Sequence, residues 1–270
     1  MNLRYLLLRL IRRFLPERLT RFLLRRGLVI RPGLETREPA SAVARYVDAL
    51  AQHGASLNGK RVLVFGYGGN FAVGAELLRA GASHVVLLDR FAPPDDRRNR
   101  ELVRAYPDYF ILQNDQVKTV DVFITLIHKD VKRVRVEEKF DLVLSSSVYE
   151  HLDDVDDLTA ALASLTAPNG IHIHYVDLRD HYFKLPFEML KFSGETWKRW
   201  LNPTSNLNRF RLRDYQRVVE TYFAVVQIQT LERQPEAFAR ARSRIRPEFL
   251  TGNEAQDTVT LIEVVASAPK

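Results

Sequence analysis

No part of the chain constrains its fold as tightly as Val62-Leu63-Val64-Phe65-Gly66-Tyr67-Gly68-Gly69-Asn70, read together with Val85-Val86-Leu87-Leu88-Asp89. The first run is short and apolar, ends in glycines, and gives way at once to a helical pattern. The second is another buried-strand pattern, and it ends on a carboxylate. Glycine has no Cβ, so Gly66, Gly68 and Gly69 let the backbone turn sharply and approach a bound molecule. The first amides of the following helix have no partner within it and point at whatever lies before it. Asp89, at the tip of the next parallel strand, is placed to accept from two ribose hydroxyls. The combination predicts a strand–turn–helix–strand unit that holds a nucleoside. It is not a dinucleotide fingerprint: Phe71 stands where the third glycine of G-x-G-x-x-G belongs, and its bulk argues against a pyrophosphate lying on this helix. The competing reading is a tight turn with no ligand, Asp89 being a surface carboxylate that caps the next helix.

A second block, Lys139-Phe140-Asp141-Leu142-Val143-Leu144-Ser145-Ser146-Ser147-Val148-Tyr149-Glu150-His151-Leu152, follows further on. With the glycine loop and Asp89 it resembles the class I S-adenosylmethionine-dependent methyltransferases, in which an FDLV strand opens into a small-residue loop and a Glu-His pair. Two later blocks, His174–His181 and Asn208–Tyr215, are similar to a bacterial branch of that family associated with cell-surface glycan or lipid synthesis. The resemblance covers roughly residues 38–230. It implies S-adenosylmethionine as cofactor, held by Gly66, Gly68, Gly69, Asn70 and Asp89, with Asp130 at the adenine amino group and Ser145 and Ser146 along the methionine arm. A helix N-cap is the other reading of Asp130. Val64 stands where the family carries an acid and Asn70 where it carries a glycine.

Methyl transfer needs alignment and a water-poor site, and it needs a general base only when the acceptor must lose a proton. The candidates are His151 and His181, with Asp177 as orienter or base. His172 and His174 share one face of a strand and read as core or surface residues without chemistry. Glu150, His151, Asp180 and His181 have no diagnostic metal-ligand spacing, and no metal is expected. From Tyr182 to Tyr215 the chain mixes Phe183, Phe187, Trp197, Trp200 and Phe210 with Lys184, Lys191, Arg209, Arg211 and Arg213. Aromatic faces for sugar rings and arginines for phosphate or carboxylate would suit a glycan or glycolipid intermediate. The plainer reading is core aromatics with solvated arginines.

The net charge of +7 is misleading until it is located. Nine arginines and one acid fall in residues 1–32, so that segment carries +8 and the remaining 238 residues sum to −1. A near-neutral body gives no electrostatic footprint for nucleic acid. The basic segment is amphipathic: Leu3, Leu6, Leu7, Leu10, Ile11 and Phe14 fall on one side of a helix, Arg9, Arg12 and Arg13 on the other. After Pro16, residues Leu19, Phe22 and Leu23 repeat the scheme. Arginines interrupt every apolar run, so neither a membrane span nor a secretory signal is predicted. The basic face suits an anionic inner leaflet; the alternative is that the apolar face packs on the body or on a second subunit. The chain has no cysteine, which fits a cytoplasmic protein and excludes disulfides.

Strands expected at 61–65, 84–89, 123–127, 140–145, 171–176, 223–230 and 258–266 alternate with helices at 39–53, 71–80, 97–105 and 155–166, Phe91 to Asp96 being a loop. Such alternation implies parallel pairing with both faces covered. For the third strand, Phe123–Ile127 is preferred to Tyr109–Leu112, which makes 106–120 an insertion. Pro168-Asn169-Gly170 reads as a turn. The fold class is therefore α/β: with the resemblance, a Rossmann-like seven-stranded, mostly parallel sheet, its last strand antiparallel. A basic helical segment (1–33) precedes a domain over 38–270, with a substrate-binding insertion at about 178–215. The function expected is methylation of a hydroxyl or carboxyl on a cell-envelope glycan or lipid precursor, peripherally on the inner membrane face. A nicotinamide-dependent oxidoreductase is the first alternative, weakened by Phe71 and by the lack of any Tyr-x-x-x-Lys. A non-catalytic relative, motivated by Val64 and Asn70, is the second.

Overall fold

The computed structural model describes residues 3–16, 19, 34–180, 183, 185–202 and 206–270. Its strands are β1 (Arg61–Phe65), β2 (His84–Leu88), β3 (Phe110–Gln113), β4 (Gln116–Thr119), β5 (Ile124–Ile127), β6 (Phe140–Ser146), β7 (Thr166–Asp177), β8 (Phe223–Arg233) and β9 (Val259–Pro269). The seven other than β3 and β4 form one sheet in the order β5-β2-β1-β6-β7-β9-β8. All neighbours from β5 to β7 run parallel, and β9 runs antiparallel to both β7 and β8. Strand order reverses between β1 and β6. The carboxyl ends of those two strands therefore bound the crevice where open α/β sheets bind ligands.

The main helices are α1 (Leu3–Phe14), α2 (Pro39–Gln52), α3 (Ala72–Arg79), α4 (Asp96–Ala105), α5 (Val155–Ser164), α6 (Leu212–Tyr222) and α7 (Pro235–Ala241). Three of them start where the sequence supplies a plain reason. Pro39 occupies the first turn of α2, where a missing N–H costs nothing. The carboxylates of Asp95 and Asp154 cap α4 and α5 by accepting from Arg98 N and Asp157 N. Successive side chains of β1 alternate between two layers. Val62 and Val64 join Tyr46, Leu50, Phe71 and Leu87, while Leu63 joins Val86, Val143, Leu162 and Val218. Both faces are buried, which is why the strands read as continuous apolar runs.

The insertion before β5 is a hairpin. Asn114 and Asp115 at its tip take φ of +50° and +64°, the left-handed pair that a two-residue hairpin turn requires. Residues 110–112 of the rejected choice for the third sheet strand fall in β3 of this hairpin, and Ile124–Ile127 lies beside β2 as expected. One expectation needs correcting: Pro168-Asn169-Gly170 does not separate a helix from a strand. Phe140 faces Thr166 and Leu142 faces Ile171, so residues 167–170 bulge out of a strand that begins earlier than predicted.

A third cluster sits apart from the sheet. Phe187, Met189, Leu190, Trp197, Leu201, Leu207, Phe238 and Ile245 pack together, and Leu6 and Leu10 of α1 close over them. The orientation of α1 contradicts a simple amphipathic reading. Arg9 and Arg12 are buried with Tyr5, while Leu3, Leu7, Ile11 and Phe14 face outward. Arg9 is drawn in by Asp180, just beyond β7: its Nε donates to Asp180 Oδ2 at 2.7 Å, its Nη2 donates to the same oxygen, and Tyr5 Oη donates there at 2.6 Å. Of the second amphipathic stretch, only Leu19 is among the described residues.

Candidate active site

The glycine loop is built from three left-handed residues, Gly66 (φ +79°), Gly68 (+69°) and Gly69 (+84°). Each answers a different need. A Cβ on Gly66 would lie 2.5 Å from a methyl of Val148, and one on Gly69 would lie 2.5 Å from the carbonyl oxygen of Pro93. A Cβ on Gly68 would meet nothing within 4 Å, so this glycine faces the open crevice. Asp89 closes the loop from the neighbouring strand: Gly68 N–H donates to its Oδ2 at 3.1 Å, and the amides of Phe91 and Ala92 donate to Oδ1 at 2.7 and 2.8 Å. A carboxylate has about four acceptor directions, which leaves about one for a ligand rather than the two the sequence implies. Asn70 Oδ1 accepts from Ala72 N and starts α3.

Phe71 is fully buried and stacks on Phe110 of the hairpin, ring centres 5.8 Å apart. The third-glycine position is thus filled by an aromatic core that the insertion completes. Asp130 behaves as the N-cap: its Oδ1 accepts from Lys132 N at 3.0 Å and its Oδ2 accepts from Arg90 at 3.0 Å.

Val148, in contact with Gly66, leads into the turn Tyr149–His151. The Asn208–Tyr215 block holds that turn in place. Asn208 N donates to Glu150 O, its Nδ2 donates to Tyr149 O and Leu152 O, and Asn206 Nδ2 donates to His151 O and Leu152 O. His151 Nδ1 lies 2.8 Å from Asn206 O. A carbonyl only accepts, so Nδ1 carries the proton and the basic lone pair of the neutral ring is on Nε2.

The guanidinium of Arg179 grips both Asp177 oxygens, at 2.8 and 2.9 Å, and bridges on to Glu232 at 3.0 Å. His181 lies outside the described residues. Asp180 turns to Arg9, and Glu150 Oε1 accepts from Asp177 N. The arginines expected to meet phosphate are largely internal. Arg209 donates to Met189 O and Phe192 O, Arg211 to Leu178 O and Val259 O, and Arg213 to Glu248 O and Leu250 O. Phe187 and Trp197 are core; Trp200 remains exposed.

The model of a family described as "Methyltransferase domain" matches residues 5–236. The chain belongs to that methyltransferase family. Among solved structures it is similar to the Haemonchus contortus phosphoethanolamine N-methyltransferase 2 in complex with S-adenosyl-L-methionine, at 15% identity over 84% of this chain and 53% of that one, with a TM-score of 0.52. It also resembles the S-adenosylmethionine-dependent methyltransferase from Mesorhizobium loti (18% identity, 83% and 96% of the two chains, TM-score 0.46). A third is the N-methyltransferase NodS from Bradyrhizobium japonicum in complex with S-adenosyl-L-homocysteine (12% identity, 88% and 91%, TM-score 0.48). No curated protein matches by sequence.

In this methyltransferase the serine loop divides by exposure. Ser147 is exposed and strained at φ +56°, and Ser146 is half-buried. Ser145 is buried, and its hydroxyl points away from the expected methionine arm, 2.8 Å from His174 Nδ1. His174 Nε2 meets His172 Nδ1 at 3.1 Å, His172 Nε2 meets Thr166 Oγ1 at 2.7 Å, and that hydroxyl donates to Leu162 O. The final carbonyl fixes the direction of the whole chain: both imidazoles carry their proton on Nε2, and Ser145 donates to His174. Burial keeps both rings neutral, pulling His174 down to about 3 and His172 well below the ordinary histidine range.

Those two rings set an acid limit. Between about pH 6.5 and 3 the unfolded chain binds protons that the folded rings refuse, so they stabilise above 6.5 and that stability is lost as pH falls. Glu35 opposes them: burial raises it to about 7, so its contribution is full below about 4.5 and lost as pH rises through 7. Two histidines against one glutamate leave a net loss of roughly 1 kcal/mol per pH unit on going from 6 to 5. Urea midpoints across that range should shift accordingly. A flat profile would mean the imidazoles are reached by water.

The methyltransferase site also depends on residues that sequence reasoning passed over. Asn99 of α4 is fully buried; its Oδ1 accepts from Phe71 N and its Nδ2 donates to Gly69 O, both at 2.9 Å. Tyr67 is nearly buried beside the loop. Burial and then the charge of Asp89 raise it to about 12, so it stays protonated as an apolar wall. Asn99 carries only a weak signal, a lone amide in a charged helix. Tyr67, an aromatic inside a glycine cluster, carries a stronger one.

Proposed function

We propose that this methyltransferase uses S-adenosylmethionine as methyl donor and methylates a hydroxyl or carboxyl of a cell-envelope glycan or lipid precursor. In this reading residues 38–270 form the catalytic domain, 178–215 face the acceptor, and the basic segment 1–33 holds the protein peripherally on the cytoplasmic face of an anionic membrane. The observation that carries the donor assignment is the Gly68–Asp89 pair across the ends of β1 and β2, beside the point where strand order reverses. An open glycine and a carboxylate with an acceptor direction to spare fit a ribose, and Tyr67 adds an apolar wall. The Phe71–Phe110 stack occupies the place that a dinucleotide's pyrophosphate would need, which disfavours the nicotinamide alternative.

Bound S-adenosylmethionine supplies a methyl group on a cationic sulfonium, so the chain's own work is alignment, exclusion of water and handling of one proton. His151 is the favoured base, because its proton sits on Nδ1 and its turn touches Gly66 through Val148. His181 is the second candidate. Asp177 contributes by holding Arg179 rather than by taking a proton.

Calorimetric titration tests the donor. S-adenosylmethionine or its demethylated product is expected to bind at micromolar level and NAD far more weakly. Asp89→Ala removes one charge-assisted bond of about 1.5–3 kcal/mol to the ligand and unhooks Gly68, so affinity should fall at least about tenfold with the fold retained. Undiminished affinity in a folded variant would place the donor elsewhere. Binding of NAD alone would overturn the reading, and binding of neither would favour a non-catalytic relative.

A further inference from the structure

The outward face of α1 is apolar where a helix resting on a protein body should be polar. Leu3, Leu7, Ile11 and Phe14 are 69%, 60%, 49% and 64% exposed and recur at helical spacing, so they form one stripe along the helix. Trp200 extends it: its ring lies 6.2 Å from that of Phe14 and it is 43% exposed. Arg4, Lys198 and Arg199 are exposed around this stripe. The helix cannot roll over to hide the apolar side, because Arg9 is fully buried against Asp180 and its guanidinium lies 4.8 Å from the Trp197 ring. Among the described residues no helix is long and apolar enough to cross a membrane.

We propose that α1 and Trp200 form the surface by which the protein docks on an anionic lipid bilayer, with the stripe in the acyl boundary and the arginines at headgroup level. The inference deepens the membrane-associated reading above and rests on it. Charge selects the occupant. Arg4, Lys198 and Arg199 are the exposed cations beside the stripe, so apposing this face to a second copy would bring like charges together, whereas anionic headgroups neutralise them. Leu, Ile and Phe on one side with arginine flanks are what a helix lying in the interface presents, and tryptophan is favoured at that depth.

The placement has a functional side. Asp180 lies just past the carboxyl end of β7, the same sheet edge that carries the glycine loop and the serine loop. From Arg9 the packing continues to Trp197, whose Nε1 donates to Leu207 O at 3.0 Å, and from there to Asn206, which accepts from His151. A lipid-docked α1 therefore belongs to the same packed unit as the proposed base, which couples the crevice to the membrane-facing helix. An acceptor anchored in the bilayer would reach it without leaving the lipid.

The test is sedimentation of the full chain with vesicles of 3:1 phosphatidylcholine to phosphatidylglycerol, against phosphatidylcholine alone. The native protein is expected to partition onto the anionic vesicles, less so at high salt. Leu7→Glu with Ile11→Glu and Phe14→Glu should lower partitioning at least about tenfold, and Trp200→Ala by a smaller factor. These positions are exposed, and an unchanged thermal midpoint verifies that the variants fold. Equal partitioning of native and triple variant would overturn the proposal. So would a native dimer in solution that the triple variant converts to monomer, since the stripe would then belong to a second copy. Calorimetric binding of S-adenosylmethionine without vesicles reports separately on the donor site, so failure of the docking face and failure of the methyl-transfer reading are distinguishable.

Discussion

Turnover of His151→Ala is expected to fall by about 10²–10⁴, with affinity for the methyl donor little changed. The expectation follows from the tautomer. With Nδ1–H held by Asn206 O, the ring keeps one orientation and offers Nε2 to a proton. If the acceptor is a hydroxyl, that proton must leave as the methyl arrives. The wild-type rate should then drop on the acid side, where imidazolium has no lone pair, and the variant should lose this limb of the profile. A carboxylate acceptor needs no base, so a folded His151→Ala with a near-native rate and pH profile would remove His151 from the chemistry. His181→Ala, measured in parallel, would show whether the second histidine carries it.

The largest stability effect is expected at the Arg9–Asp180 pair. Both side chains are fully excluded from solvent. Removing one member of a buried pair leaves a charge in a low-dielectric site and costs about 3–5 kcal/mol, whereas removing both costs less. Arg9→Ala should therefore destabilise strongly, and Arg9→Ala with Asp180→Ala should recover part of the loss. Urea unfolding of the two single variants and the double variant gives the coupling directly. A near-zero effect in Arg9→Ala would mean that α1 detaches at little cost and Asp180 finds water.

Most of the fold and about half of the site could be read from the sequence, for reasons that separate by range. Val62–Asn70 and Val85–Asp89 are local: short apolar runs, glycines and a terminal carboxylate specify strand, turn and strand within a few residues. Period two puts His172 and His174 on one face of a strand, and only the packing decides that this face is core rather than surface. What failed depends on partners far along the chain. Arg9 looks like a solvated residue until Asp180, 171 positions away, is placed beside it. Arg209 and Arg211 look like ligand-binding cations until the carbonyls they fill are known. Ser145 belongs to a small-residue loop by spelling, yet strand alternation turns its hydroxyl toward His174. The clamp by Asn99 combines two bonds across 28 and 30 positions, beyond the reach of any periodicity.

The Phe71–Phe110 stack and the Asn99 clamp bear on the order in which the molecule can assemble. As the chain leaves the ribosome, the glycine loop emerges well before the helix and hairpin that hold it, and β1 still lacks β6 on its other side. Until then the loop has few local means of keeping its shape, since turns of this kind earn stability only from tertiary contacts. Donor affinity would thus arrive late, with the pairing of β6, rather than growing as residues are added. In the finished protein the amide of Phe71, held by the buried Asn99, should exchange hydrogen only through openings that part this clamp, whereas the exposed amide of Gly68 needs only to leave Asp89. A bound donor would slow that exchange in the hairpin as well as in the loop.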